Sequence, residues 1–381
     1  YKRQVNMPLP WPGGWWRLND IMKYELASTM SIIKTASLHR REILEFRNEM
    51  CRKEVLKGKT KPPYYYVMPL MQHDKSELVR LVNLLKEHGI IVYRLSAAAT
   101  VDDKSFQPGD IVIPLAQPFR SFIKEIMEKQ EFPVRHYTPG GKVIRPYDIT
   151  SWSLPINLGV KLVEIDNQSK KFESLLEEVK GNFSLKKQPP ENYWAALFTI
   201  DNNESFKAVF LALKLGLKVD RLKSSIRIEN VNIPPGSFII YNHPEDQYKT
   251  KQVMAELGVC PIFVKQKIKL KAAQVKMPRI ALVETYFHDM DAGWTRFIFD
   301  SYYIPYKVVH PGDFEKTDFA KNFDVVIFPD ANKSILMSGK YKSDEEYYIS
   351  SYPPEYTKGI GKKGMERLMT FLDRGGIIIS W

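Results

Sequence analysis

The sequence predicts an α/β protein: duplicated βαβ units with a parallel sheet, then a further α/β unit, all entered by a long N-terminal helix. Three observations predict it. Short apolar runs alternate with amphipathic stretches across short connections, the rhythm of strands with helical cover. Turn and core positions also recur, since one constant offset separates Gly89 from Gly216, Leu95 from Leu222, and Pro108-Gly109 from Pro235-Gly236. Punctuation repeated in this way marks an internal duplication. Finally, the 381 residues are 44% hydrophobic and 26% charged, an ordinary globular composition with material for two or three domains.

Taken in order, the chain opens on a proline- and glycine-rich loop that carries Trp11, Trp15 and Trp16. Asn19 or Asp20 can cap the next helix, because a short polar side chain there accepts amide protons of the first turn. Ile21, Tyr24, Met30, Ile33 and Leu44 are spaced for one apolar stripe, so a single helix is expected from about Asn19 to Cys51. PPYYYVMPLM then reads as a strand, Asp74 to Glu87 as a helix and IIVYRL as a strand. The strand DIVIPL comes next, and after it a helix ending near Gln130 with Phe119, Phe122, Ile123 and Met127 on one side. The same order returns after Pro190: YWAALFTI, a helix from Glu204 to Leu215, LKVDRL, SFIIY and a helix running to Leu257. These are the expected copies, residues 62–135 and 190–262 of a region spanning 62–277. Residues 136–189 form the connector between them.

The connector contains RPYDITSWSLPINLGV, residues 145–160. Pro146 and Pro155 fix φ and lack an amide donor, which excludes a helix interior or central strand. Trp152 and Leu154 alternate with Ser151 and Ser153, so an extended segment with one buried face is expected. Arg145, Tyr147 and Trp152 are candidate binding residues for a small ligand, peptide or glycan held by the duplicated units. From Pro278 a third α/β unit begins, with RIALVE, IPYKVV, DVVIFPD and GGIIISW as strands. Asp291 to Tyr302 is its first helix. The long stretch from Ala331 to Lys358 is a candidate contact loop. The chain starts at Tyr1 and stops within GGIIISW, so a piece of a longer polypeptide is expected.

Charge and motifs narrow the function. The formal charge of +12 suits an acidic partner. The two dense basic clusters, Arg52 to Lys61 and Lys265 to Lys271, lack the interleaved aromatic residues that stack on bases, so no nucleic acid is expected. In the second cluster lysines alternate with Gln266, Ile268 and Leu270, the pattern of a strand with one wet face. No apolar run is long enough to span a bilayer. Cys51 and Cys260, the only cysteines, read as unpaired structural thiols. The seven histidines form no HExxH unit, and the His73-to-Glu77 spacing is better read as a helix start capped by Asp74. No GxSxG elbow, P-loop or GxGxxG occurs. GIGKKG at 359–364 comes after a polar loop and reads as a helix entry. The most suggestive cluster is ETYFHDMDAGW, residues 284–294, at the carboxyl end of a first parallel strand, where α/β sheets place ligands. Glu284, His288, Asp289, Asp291 and Trp294 are candidates to hold a cation or polar ligand. The competing reading is a loop leading into acids that favour a helix N-terminus.

Four motifs in order, PWPGGWWRLNDIMKYEL, DIVIPLAQPFRSFIKEIMEKQ, RPYDITSWSLPINLGV and PPEYTKGIGKKGMERLMTFLDRGGIII, resemble the part downstream of the catalytic domain in large bacterial zinc carboxypeptidase-like metallopeptidases of the carboxypeptidase A type. The resemblance implies that residues 1–58 are the tail and last helix of an upstream peptidase domain. It also implies that 278–381 form a truncated flavodoxin-like, class I glutamine amidotransferase-like domain. The zinc ligands and general-base glutamate belong upstream of PWPGGWW, so no residue of this chain is matched to them, and no catalytic or metal residue is assigned. The whole protein is expected, by resemblance, to be a secreted or periplasmic zinc peptidase. This segment would support its own peptidase domain, shape access for a peptide substrate or hold partners. The alternatives are a binding module formed by the duplicated units, or an amidotransferase-like enzyme whose nucleophile lies after Trp381.

Overall fold

The computed structural model describes residues 13–131, 133–145, 152–228, 231–287, 289–343, 346–348 and 353–381. Contacts divide the chain into two compact units, one formed by residues 1–69, 85–157 and 161–179, the other by 70–84, 158–160 and 180–381.

The first unit begins with two helices, α1 (Leu18–Leu38) and α2 (Arg40–Thr60). The single helix expected from Asn19 to Cys51 is therefore two. They meet at His39, whose φ of −102° and ψ of 21° are not helical. The carboxylate of Asp20 accepts the Arg17 amide proton at 3.1 Å and so closes the first turn. Ile21, Tyr24, Met30, Ile33 and Leu44, expected to form a buried stripe, are all exposed. The buried point of α2 is Gly58, where an added Cβ would lie 2.2 Å from the Leu115 carbonyl oxygen. Only glycine lets the helix pass so near that strand end.

The strands of this unit are β1 (Tyr65–Met68), β2 (Tyr93–Leu95), β3 (Ala99–Val101), β4 (Lys104–Phe106), β5 (Ile111–Pro114), β6 (Val163–Ile165) and β7 (Leu176–Glu178). Its helices after α2 are α3 (Lys75–Glu87), whose first turns belong to the other unit, α4 (Arg120–Met127), α5 (Leu154–Leu158) and α6 (Lys170–Glu173). Five strands make one sheet in the order β6-β1-β5-β2-β7. Every neighbouring pair is antiparallel, with Tyr65 opposite Pro114 and Tyr93 opposite Val112. The expected parallel sheet is corrected here: β1 and β2 do run the same way, but β5 lies between them and points the other way. One face of the sheet packs Tyr65, Val67, Leu95, Val112 and Ile165 against Phe106 of the β3–β4 hairpin and Phe172 of α6.

The stretch expected as a connector thus supplies both edge strands, β6 and β7. Within it, Pro146 to Ser151, including Tyr147, lie outside the described residues. Trp152 is exposed and Ser153 buried, the reverse of the expected face. Leu154 opens a short helix rather than continuing a strand, and Pro155 fits its first turn, where no amide donor is needed.

The second unit holds two sheets. Its first strands and helices are β8 (Ala195–Phe198), α7 (Asn203–Lys214), β9 (Val219–Leu222), β10 (Ile226–Ile228), β11 (Val231–Ile233), β12 (Phe238–Tyr241), α8 (Gln247–Ala255), β13 (Ile262–Val264) and β14 (Ala272–Gln274). The sheet order is β13-β8-β12-β9-β14, again antiparallel throughout. One face, with Ala196, Phe198, Val219 and Ile240, packs on Ala208, Leu211 and Ala212 of α7 and Val253 of α8. The other, with Ala195, Leu197, Leu222 and Ile239, packs on Ile226, Ile228 and Ile233 of the β10–β11 hairpin. Lys265 to Leu270 form no strand, contrary to the alternation read there; β14 starts at Ala272.

Two helix starts of this unit share one acid. Asp74 Oδ1 accepts from the amides of Ser76 (2.7 Å) and Glu77 (3.3 Å), capping α3, while Oδ2 accepts the Asn203 amide at 2.8 Å. Asn202 caps α7 by accepting from the Glu204 amide at 2.9 Å.

The last sheet is parallel. Its elements are β15 (Ile280–Val283), α9 (Met290–Ser301), β16 (Tyr306–Val309), α10 (Phe319–Asn322), β17 (Val325–Phe328), α11 (Lys333–Ser338), a hairpin of β18 (Tyr341–Ser343) and β19 (Glu346–Tyr348), α12 (Gly361–Asp373) and β20 (Ile377–Ser380). The order is β16-β15-β17-β20. Ala281, Val283, Val309 and Val326 form its core with Phe314, Phe319, Leu368 and Phe371. The expected loop from Ala331 to Lys358 contains α11 and the hairpin, so much of it is ordered by hydrogen bonding of its own.

Candidate functional site

Parallel strands bring their carboxyl ends to one edge, and the loops that leave there are free of ladder constraints. At this edge β15 ends at Val283 and releases Glu284-Thr285-Tyr286, β16 releases His310, and β17 releases Pro329-Asp330. The stretch read as a ligand loop is therefore placed where expected, but its residues do not converge as expected.

Glu284 is half-buried and accepts from Arg296 Nη1 of α9, which is 3.2 Å from each carboxylate oxygen. Asp289 is used twice: Oδ1 accepts the Ala292 amide at 3.1 Å, capping α9, and Oδ2 accepts the Thr285 amide at 2.6 Å. Asp291 is exposed in the first turn of α9, and Trp294 projects to solvent in edge contact with Phe297. His288 lies outside the described residues. Glu284 and Asp289 thus build the loop, while Asp291 and Trp294 stand apart from it.

Three residues that the sequence motifs do not single out converge instead. The Tyr286 ring stacks on His310 with centroids 4.1 Å apart and 22° between planes, and its other neighbour is Tyr356 at 4.7 Å. His310 Nδ1 lies 2.7 Å from the Glu284 carbonyl oxygen. A carbonyl only accepts, so Nδ1 carries the hydrogen, and Nε2 is the acceptor of the neutral ring. Burial raises the Tyr286 phenol above its ordinary value, with smaller contributions from the charges of Asp313 and Glu284. The phenol stays protonated and able to donate. The cluster offers aromatic surface, one imidazole acceptor and phenol donors, a set that holds a flat polar ligand. The one signal for it was position: Tyr286 and His310 each lie at the end of an apolar run.

Arg145 and Trp152, the candidates in the first unit, are both exposed. The second unit has a cleft of about 630 Å³ beside β8 and α8, lined by Tyr193, Asn242, Thr250, Lys251, Met254 and Phe263 among others. Thr250 Oγ donates to Asn242 Oδ1 at 2.9 Å, and Asn242 Nδ2 donates to the Tyr193 carbonyl at 3.1 Å, so these polar side chains hold each other in place.

Zinc, implied by the resemblance for the whole protein, finds no fit here. Among the described residues no three His, Cys, Asp or Glu side chains converge as ligands would, and Cys51 and Cys260 are free thiols. No helix among them is long and apolar enough to cross a membrane. Comparison of the chain with protein-family models, curated proteins and solved structures found no match.

Proposed function

We propose that this chain is the non-catalytic C-terminal part of a secreted or periplasmic zinc carboxypeptidase-like protein, serving it by support, by shaping access or by binding a partner. The observation that carries the reading is the ordered set of four motifs, from PWPGGWW to GGIII. The fold is compatible with it. The two antiparallel sheets, each with its third strand at the centre and its last two at the edges, are read as copies of one ancestral unit. The parallel sheet, with its second, first, third and fourth strands side by side, is read as flavodoxin-like and related to class I glutamine amidotransferases. Proteolysis would belong to the upstream domain, where zinc activates water.

The test compares the 381-residue chain with the product of its full reading frame, by intact mass, zinc content and release of C-terminal residues from peptides. The expected result is zinc and cleavage in the longer protein and neither in the 381-residue chain. Stoichiometric zinc and peptide cleavage in the shorter chain would overturn the proposal, as would a longer protein with no zinc. A second reading, a ligand-binding module, is favoured by the 630 Å³ cleft of the second unit, whose size is that of small-molecule sites.

A further inference from the structure

The face of the second antiparallel sheet that carries the β10–β11 hairpin holds a smaller cavity of about 280 Å³. Its wall includes Trp194, Tyr241 and Asp220, with Lys218, Lys267 and His243 around them. Strand register puts these groups together. Asp220 of β9 pairs with Ile239 of β12, so it shares a face with Tyr241 two residues on. Trp194 stands just before β8 and meets the Tyr241 ring edge-on at 5.4 Å.

Asp220 is the unusual member. Its Oδ2 accepts from the Tyr241 hydroxyl at 2.7 Å. Its Oδ1 is enclosed, yet no donor among the described residues reaches it. An enclosed carboxylate oxygen is expected to have a donor, and this one belongs to a residue that lines the cavity. The charges choose the kind of ligand. Aromatic rings beside a carboxylate would suit a cation, but Lys218 Nζ already lies over the Tyr241 ring at 5.1 Å and Lys267 adds a second ammonium. Two ammonium groups against one carboxylate disfavour a cation and favour an anion that also carries hydroxyl groups.

We propose that this cavity binds an acidic sugar residue. A hydroxyl of the sugar donates to Asp220 Oδ1, the apolar ring face lies on Trp194 and Tyr241, and the carboxylate pairs with Lys267 or Lys218. The volume stands at the small end of ligand sites and suits a single ring rather than a long chain. The inference does not rest on the peptidase reading and stands or falls separately from it.

The test is calorimetric titration and amide-shift mapping of the 381-residue protein with glucuronate, glucose and choline. Glucuronate should move the amides of Trp194, Asp220, Tyr241 and Lys267. It should bind more tightly than glucose by up to about fivefold, the contribution of one exposed ion pair. Lys267→Gln, at an exposed position, should bring glucuronate down toward glucose while leaving thermal unfolding unchanged. Asp220→Asn should weaken both sugars, because the amide now offers the cavity a donor or deprives Tyr241 of its acceptor. Preference for choline, equal binding of the two sugars, no shift at these four amides, or glucuronate binding indifferent to Lys267→Gln would each overturn the proposal.

Discussion

Asp74 is one carboxylate with two tasks, and its removal gives a loss that can be divided. In Asp74→Ala the cap of α3 goes, because Oδ1 no longer accepts from Ser76 and Glu77. An N-cap aspartate replaced by alanine costs about 1 kcal/mol. The Asn203 amide at the start of α7 also loses its 2.8 Å acceptor. Asp74 is only 8% exposed, so water replaces that acceptor poorly, and the unpaired donor costs about 1–3 kcal/mol. The expected total is about 2–4 kcal/mol. Asp74→Ser separates the parts. Serine still caps α3 but is too short to reach Asn203, so its loss should be smaller than that of alanine by about 1 kcal/mol. Urea unfolding monitored by tryptophan fluorescence, with the denaturant slope checked for constancy, measures both variants. A serine variant as damaged as the alanine one would refute the division. An alanine variant within about 0.5 kcal/mol of the parent, the range of an ordinary surface change, would refute the coupling altogether.

Close approach and burial lead to two more expected outcomes. Gly216 and Gly339 both have left-handed backbones, with φ of +76° and +70°. An added Cβ meets nothing within 4 Å at Gly216, but at Gly339 it lies 1.9 Å from the Thr357 carbonyl oxygen. Gly216→Ala should therefore cost about 1–2 kcal/mol, the backbone penalty alone. Gly339→Ala adds an overpacking cost of about 1–3 kcal/mol to it, and equal melting temperatures for the two variants would count against the packing described. Glu204 accepts from the amides of Gly258 and Val259, yet burial outweighs these bonds and raises its carboxyl above the usual 4.5. An acid whose folded value is raised contributes stability below its unfolded value and loses it as pH rises through the folded one. The parent should thus lose ground against Glu204→Gln between about pH 4 and about pH 7 in urea midpoints; a difference that grows in the parent's favour over that range refutes the sign.

How far the sequence could be read depends on what each signal encodes. Runs such as AALF of β8, IALV of β15 and VVIF of β17 announce buried strands because every residue in them avoids water. Asp74 and the glycine stops announce helix ends by their own local chemistry. Neither signal names a strand's neighbour. An apolar run such as IVIP of β5 is equally buried beside a parallel or an antiparallel partner, so its insertion between β1 and β2 was invisible. The edge strands VEI, LEE and AAQ are three residues long and half polar, too short for a period to emerge. At the candidate site, the position of Glu284 to Tyr286 was legible from strand order. The meeting of Tyr286 with His310 and Tyr356 was not, because it depends on two other loops returning to the same edge. Trp152 was misjudged for a similar reason: its large apolar ring suggests burial, but the short helix at Leu154 turns Ser153 inward instead.

The placing of β5 and β12 also bears on the order in which the chain can assemble as it is synthesised. Each of these strands lies at the centre of its sheet but is the third of the five to be made. When β1 and β2 leave the ribosome they have no ladder to share, and must wait for the strand that joins them. The edges come later still, so the first sheet closes only after Glu178 and the second only after Gln274. The parallel sheet has no such gap: β15 is joined by β16 on one side, then by β17 and β20 on the other, each beside a strand already present. Nascent chains halted before β5 would expose the apolar edges of β1 and β2 to chaperones, whereas those halted after β16 would already hold a paired strand.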